Sequence, residues 1–449
     1  MKVAKFGGTS CASADQIRKV FNIVNSDPTR RIIVVSAPGK RFSEDTKVTD
    51  LLIRCAEQYL ANGEGTKEYE AVVSRYREIA EGLELSGEIV DVISTDLWEL
   101  LNGDKSNPNR FMDAVKASGE DNNAKLVASF FQSQGVAARY MSPKEAGLLL
   151  SDESGKAQVL PESYENLKAL RDLPEVIIFP GFFGYTPEGA LVTFSRGGSD
   201  ITGSILAAGV QADLYENFTD VDSVFAANPN IVYQPQEISI LSYREMRELS
   251  YAGFSVFHDE ALIPAFRAGI PVNIKNTNNP SAPGTKIVFE RPKTDQPVVG
   301  IASDSGFASI YVSKFLMNRE IGFGRRLLQI LEDFGFSYEH TPSGIDDITV
   351  IMHDQLKDKE VENKIVKRIK EELCADDVVV QHGLSMIMIV GEGMRHSVGT
   401  TARATKALAK AEVNIEMINQ GSSEVSIMFG VKKVDEIKAV QALYDEFFN

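Results

Sequence analysis

Two short apolar runs near the N-terminus, residues 2–6 and 31–35 (RIIVV), enclose a stretch at 13–25 that carries Ile17, Val20, Phe21 and Val24 at helical spacing. Strand, helix and strand in that order require a crossover, and crossovers join parallel neighbours. The chain therefore opens with a βαβ unit at the edge of a mostly parallel sheet, an α/β arrangement with helices on both faces. Further helical patterns run near 48–60, 68–80, 86–101, 108–117 and 122–133, with strands near 136–140 and 176–179. The segment GFFGYTPEGALVTFSRGGSD (181–200) predicts a hairpin running into a loop, and 199–209 predicts a helix whose small residues pack closely on a sheet. Strands follow at 213–218 (DLYENF) and 271–275 (PVNIK), and the turn-rich NTNNPSAPGTK and RPKTDQP stretches put a domain boundary near 295.

Beyond that boundary the pattern repeats itself at an offset of 77 residues. Met317 and Gly322 align with Met394 and Gly399, Leu331 with Leu408, Phe336 with Val413, Tyr338 with Ile415, Ile348 with Val425, and Val350 with Ile427. Asp347 also meets Glu424. The matches fall at core-type positions, so the C-terminal third reads as two copies of one small α+β module of the form βαββαβ. The expected domains are 1–295, 296–380 and 381–449.

A length of 449 residues suits two to three such units. The formal charge of −16 repels a polyphosphate backbone and argues against a nucleic-acid partner. No apolar run reaches the roughly 18 residues of a membrane span, and no leader pattern precedes the first strand, so no membrane partner is expected and the location is expected to be cytoplasmic. Cys11, Cys55 and Cys374 are too scattered for a disulfide framework, and the five histidines show no metal-ligand spacing, so no metal site is expected.

Any anion site must then be built locally, and three loops have the means. KFGGTS (5–10) ends the first strand with a lysine, two glycines and two hydroxyls. Glycine permits φ > 0 and bares the backbone N–H groups to a phosphate. Lys5 alternates with Ala4 and Phe6, so its ammonium leaves the opposite face near the strand's C-terminal end, where ligands bind in open α/β sheets. VVSAPGK (34–40) brings Ser36 to the neighbouring strand end, and FSRGGSD (194–200) offers an arginine, a hydroxyl and a carboxylate at a helix start. Convergence of the three suits an anionic small molecule.

Together with SGE (118–120), TDVDSVF (219–225) and the NTNNP…GT stretch (276–285), these motifs resemble the aspartate kinases of the amino-acid kinase superfamily. The resemblance spans the whole chain, since that family also carries two C-terminal ACT modules, ferredoxin-like sensors of amino acids. It implies an amino-acid kinase fold followed by two ACT modules, and transfer of phosphate from ATP to L-aspartate with Mg²⁺ on the nucleotide. The monofunctional bacterial enzymes are the expected kin, because nothing after residue 449 houses a homoserine dehydrogenase. A carboxylate is already ionised at pH 7, so the reaction asks for alignment and charge neutralisation and not for a general base.

By this resemblance Lys5 and Asp200 are catalytic, the lysine supplying charge and the aspartate orienting it. Gly7, Gly8 and Ser10 face the phosphates. Arg196 grips a substrate carboxylate, Glu120 meets the α-ammonium, Ser36, Thr49 and Ser199 add hydroxyls, and Phe182 forms an apolar wall. As residues alone, Glu120 also reads as a helix-capping acid, Thr49 as a helix start and Phe182 as core. Thr219, Asp220, Phe225 and Asn228 fall on the nucleotide side. There the chain departs from the family pattern: Asn228-Pro229-Asn230 stands where many relatives have aspartate, proline and arginine, Ser255 replaces a lysine three residues before His258, and Phe225 replaces a tyrosine. Lys275 and Arg244 are candidates to supply the missing charge.

In the modules, Met317, Gly322, Phe323, Ser337, Tyr338 and Glu339 are effector-site candidates by position, with Asn414, Ser422 and Ser423 of the second module beside them. Lysine or threonine is the expected effector, and pairing of the modules implies a homodimer or a dimer of dimers. Two other readings stay open: a kinase of another amino acid, and a non-enzymatic amino-acid sensor with a degenerate nucleotide site.

Overall fold

The opening strand β1 (Lys2–Phe6) lies in the middle of its sheet and not at the edge. It pairs in parallel with β2 (Arg30–Val35) on one side and with β7 (Leu214–Thr219) on the other. The sequence places β2 next to β1, but only the fold reveals that β7, some 200 residues on, takes the other flank. In the computed structural model, residues 1–449 are described apart from 196, 255–259, 293–295, 357 and 422. They divide into two units, Met1–Val224 with Glu237–Met246 and Ser255–Pro292, and Phe225–Gln236 with Arg247–Phe254 and Lys293–Asn449. The boundary expected near 295 falls on residues outside those described.

In the first unit, helix α1 (Ala14–Asn25) is capped by Ser13, whose hydroxyl accepts from the Gln16 N–H, and it buries Ile17, Val20, Ile23 and Val24. After β2 come helices α2 (Val48–Asn62), α3 (Thr66–Gly82), α4 (Glu88–Asn102) and α5 (Pro108–Ser133). Their apolar faces share one core with α1 and the sheet. The sequence reading breaks α5 at Ser118-Gly119-Glu120-Asp121, whereas the helix runs straight through. Gly119 is there for packing: a Cβ on it would sit 3.0 Å from the side chains of Ala37 and Leu52. Glu120 is consequently a mid-helix residue and no cap.

Strands β3 (Ala138–Tyr140) and β4 (Val176–Pro180) extend the sheet beyond β2, with the short helix α6 (Glu162–Leu167) between them in sequence. The hairpin expected after β4 is β5 (Phe183–Tyr185) against β6 (Leu191–Thr193). Helix α7 (Gly198–Gly209) leads to β7, followed by β8 (Val224–Phe225), β9 (Glu237–Ile238), β10 (Ile240–Ser242), α8 (Tyr243–Tyr251), α9 (Ile263–Arg267), β11 (Val272–Asn276) and β12 (Thr285–Val288). The eight-stranded sheet runs β10-β12-β11-β7-β1-β2-β4-β3, and only the β11–β12 pairing is antiparallel among its described pairs. On the face opposite Lys5, Phe6 stacks on Phe218 with centroids 4.7 Å apart, and Arg30 forks onto Glu216 at 2.6 and 3.1 Å.

The second unit holds a five-stranded sheet, order β14-β13-β15-β17-β16. Its two longest strands, β13 (Gly300–Ser313) and β15 (Asp377–Val390), pair antiparallel along their whole length. Each contains a glycine in the left-handed region, Gly306 at φ 89° and Gly383 at φ 70°, where the register slips. These facing bulges divide the sheet into two modules. The first comprises residues 307–313, helix α10 (Phe323–Asp333), β14 (Asp347–His353), α11 (Lys359–Leu373) and the start of β15, with bridges from His340 and Ser343 in place of a further strand. The second comprises the end of β15, α12 (Thr400–Lys410), β16 (Met417–Asn419), β17 (Ser426–Lys432) and α13 (Glu436–Phe448), and it takes its outer strand from residues 300–305. The first module is thus inserted within the second.

The repeat is visible in three dimensions. Met317 and Met394 are buried in equivalent 3₁₀ turns, and Gly322 and Gly399 begin α10 and α12 at φ 80° and 90°. Val350 and Ile427 are buried at equivalent places, the first in β14 beside β13 and the second in β17 beside β15.

Candidate active site

Parallel strands end on one side of the sheet, and the loops leaving β1, β2 and β4 meet there with the N-terminus of α7. Lys5 is paired in register with Asn217 of β7, so both side chains leave the same face. There the Lys5 Nζ lies 2.6 Å from Asp200 Oδ1, and Asn217 Nδ2 donates to the same oxygen at 2.6 Å. The Tyr215 hydroxyl donates to the Asp200 carbonyl at 3.1 Å. Asp200 stands in the first turn of α7, whose small residues let it settle on the sheet: a Cβ on Gly203 would overlap the Tyr215 ring at 2.5–2.7 Å. The helix N-terminus and Lys5 together make this a place for negative charge.

Neither Gly7 nor Gly8 is in the left-handed region, and only Gly8 is crowded, since a Cβ there would sit 3.1 Å from the Ala37 carbonyl oxygen. A Cβ on Gly7 would sit 3.5 Å from the Lys5 ammonium. Gly8 lies against the loop after β2, where the Gly39 N–H donates to the Gly8 carbonyl at 2.8 Å and a Cβ on Gly39 would come within 2.6 Å of the Gly8 backbone. Ser10 is buried, its hydroxyl 2.7 Å from that of Thr277. The loop after β2 is also held by Arg75 of α3, a buried guanidinium that donates to the Gly39 carbonyl at 2.8 Å and pairs with Asp45 at 2.5 Å.

Among the residues expected to meet the substrate, Phe182 follows Gly181 across the start of α7. A Cβ on Gly181 would meet Ser199 at 2.5 Å. Phe182 takes φ 79°, costly for an aromatic residue. Its N–H is held by the Thr202 hydroxyl at 3.0 Å, and its half-buried ring lies over Gly198. Thr49 is half-buried in the first turn of α2. Glu120 is 6 % exposed and accepts from the Ala37 N–H, while its Oε2 has no partner among the described residues. Burial pushes its carboxyl up to about 8, only partly offset by the backbone N–H of Ala37. Arg196 lies outside the described residues.

The nucleotide-side candidates fall in both units. Thr219 and Asp220 close β7, the Thr219 hydroxyl donating to the Asp220 carboxylate at 3.2 Å. Phe225 and Asn228 belong to the second unit, where Asn228 Oδ1 accepts from the Asn230 N–H at 2.9 Å. Ser255 and His258 lie outside the described residues. Lys275 does not stand in for the missing cations beside Lys5. It is in register with Phe218, hence on the opposite face of the sheet, where burial lowers its pKa and Glu216, Arg30 and Lys2 are its charged neighbours. Arg244 is exposed at the start of α8. Asn217 and Arg75 were missed as site residues. A polar side chain beside Phe218 at the C-terminal end of the DLYENF strand was a signal for the first, whereas a helix arginine gave none for the second.

A family model described as "Amino acid kinase family" matches residues 1–276. The chain belongs to the amino acid kinase family. Within it, this kinase is 67% identical to Aspartokinase 3 of Bacillus subtilis, over 100% of this chain and 99% of that one. The crystal structure of the Clostridium acetobutylicum aspartate kinase, described as an allosteric enzyme, superposes with a TM-score of 0.89 at 38% identity, covering all of both chains. Escherichia coli aspartokinase III, solved with aspartate and ADP, shares the fold at TM-score 0.79 and 24% identity, again over both whole chains.

An ACT domain model matches residues 387–447 of this kinase, within the second module. In the first module, Met317 and Phe323 are buried in the core beside α10, and Gly322 caps that helix. Ser337 and Tyr338 are exposed, and Glu339 accepts a hydrogen bond from the Tyr251 hydroxyl. Asn414 donates to Glu416 at 3.1 Å, the Ser423 carbonyl accepts from Arg395 at 2.9 Å, and Ser422 lies outside the described residues. Among the described residues no helix is long and apolar enough to cross a membrane.

Proposed function

We infer that this chain phosphorylates L-aspartate with ATP to give 4-phospho-L-aspartate, the first step toward lysine, threonine and methionine, and that an end-product amino acid bound to its ACT modules inhibits it. The observation that carries the substrate reading is Glu120, a buried carboxylate with one unpartnered oxygen and a raised pKa. Such a group is costly until a cation arrives, and the α-ammonium of an amino acid is a cation of the right size. Lys5, restrained by Asp200 and Asn217, neutralises charge on the transferring phosphoryl group, and the α7 N-terminus adds backbone donors. The attacking β-carboxylate needs no base, which fits a site whose Lys5, Asp200 and Glu120 cluster holds no histidine among the described residues.

No group of three or more His, Cys, Asp or Glu among the described residues is placed to hold a metal. Mg²⁺ is proposed to enter with the phosphates of the nucleotide, as part of the co-substrate. The effector side rests on the ACT match and on the allosteric description of the clostridial relative. Lysine or threonine is the proposed effector, and a homodimer or larger assembly the proposed state.

The test is hydroxylamine trapping of the acyl phosphate with ATP, Mg²⁺ and aspartate, glutamate as comparison, and lysine or threonine added in parallel. Aspartate-dependent hydroxamate that falls with one effector is expected. Hydroxamate from glutamate alone would move the reading to another amino-acid kinase, and none from either would favour a non-enzymatic sensor.

A further inference from the structure

Helix α5 presents a second buried polar group one turn beyond Glu120. Asn123 is fully buried, and i, i+3 neighbours share a helix face. Its Nδ2 donates to the Ser36 carbonyl at 2.7 Å, and the next N–H along the chain, that of Ala37, is the one that Glu120 accepts. One peptide unit of the loop after β2 therefore orients both side chains. Each is left with one oxygen, Glu120 Oε2 and Asn123 Oδ1, that has no partner among the described residues. The place is shared with the catalytic lysine. Burial pushes the Cys11 thiol up to about 12, while the Asn123 side chain and the Lys5 charge act on it in the opposite sense.

An ammonium carries three hydrogens, and one carboxylate oxygen satisfies only one of them well. A buried amide carbonyl without a partner is a cost of its own, relieved when a donor arrives. We propose that Asn123 is a further substrate-binding residue, whose Oδ1 accepts a second hydrogen from the α-ammonium beside Glu120 while its Nδ2 stays tied to Ser36. Asn123 thereby contributes to the choice of an α-amino acid over a plain dicarboxylate. This deepens the aspartate reading and rests on it.

Succinate, which is aspartate without the amine, separates this role from a structural one. In the full-length enzyme, the KM for aspartate and the inhibition constant of succinate are measured for wild type, Asn123→Leu and Asn123→Asp, with Asn123→Ala in place of the leucine variant should that not fold. Asp keeps an acceptor but cannot donate to Ser36. The ratio of aspartate KM to succinate inhibition constant is expected to rise about 10- to 100-fold in Asn123→Leu, as befits a lost hydrogen bond to a charged group. It is expected to stay within about threefold of wild type in Asn123→Asp, which keeps that acceptor. An unchanged ratio in the leucine variant, or equal damage to both ligands in both variants, overturns the assignment and leaves Asn123 a loop tether. Absence of aspartate-dependent ADP release in wild type sinks the aspartate reading itself, and this inference with it.

Discussion

At the scale of single residues, the site holds one carboxyl, that of Glu120, whose charged form burial disfavours. Glu120 has a folded-state pKa of about 8 against an ordinary 4.5. Between those values the folded state binds more protons than the unfolded chain, so stability without ligand falls as pH rises through this window. Glu120→Gln removes that slope. The variant is expected to melt at a higher temperature than wild type at pH 8 to 9 and to equal it near pH 4.5, as differential scanning fluorimetry would report. Its kcat/KM for aspartate should fall by roughly 100-fold or more, because an amide cannot balance the ammonium. In wild type, kcat/KM for aspartate is expected to climb with pH, reach half its plateau near 8 and level off above it, the limb reporting the free enzyme. At Lys5 the geometry argues differently. Asp200 and Asn217 hold the Lys5 ammonium proposed to act on the transferring group, so Lys5→Met should lower kcat by about 1,000-fold while the aspartate KM moves little.

At the scale of elements, the two anion loops depend on a residue outside them. Arg75 reaches from α3 to the carbonyls of Gly39 and Ala12, and Asp45 completes the clamp. Its replacement by methionine leaves Asp45 with Arg41 alone and two buried carbonyls short of a donor. A loss of about 3 kcal/mol in stability is expected by urea denaturation, together with a raised KM for ATP. A variant as stable as wild type would show the loops to be held by their glycine contacts instead. Nothing in TKEYEAVVSRYREIAEG marks that arginine, because a helix surface of alternating charge reads as solvated until its partners are known. The strand-turn motifs behaved otherwise. KFGGTS, VVSAPGK and the 77-residue repeat were legible because each is local chemistry repeated at strand ends or core positions. The break expected at SGED failed since glycine in a helix signals either a stop or a close neighbour, and only the packing of Ala37 and Leu52 decides which. The central place of β1 and the face taken by Lys275 were invisible for the same reason: both depend on β7, which no local pattern pairs with the N-terminus.

At the scale of the whole molecule, the chain does not respect a single cut. Segments 225–236 and 247–254 belong to the second unit although the chain on either side of them belongs to the first. Within that unit the Ala226 carbonyl accepts from Ile301 at 2.7 Å, the Gln236 N–H donates to the Tyr444 hydroxyl at 2.8 Å, and Gln441 donates to the Ile231 carbonyl at 2.9 Å. Ser426 likewise donates to Glu248 at 2.9 Å. Removing residues 293–449 to free the kinase from feedback would strip those partners away and expose buried Ala226, Ala227 and Leu249. The truncated chain is therefore expected to be cleaved rapidly within 225–236 and 247–254 in limited proteolysis and to lose most of its activity, where intact enzyme resists at both places. Relief from inhibition should come instead from changes confined to the modules, such as Tyr338→Ala in the exposed segment after α10, which touches none of these contacts. A residue 1–292 fragment that stays protease-resistant, fully active and indifferent to lysine and threonine would show that the two excursions fold without the second unit.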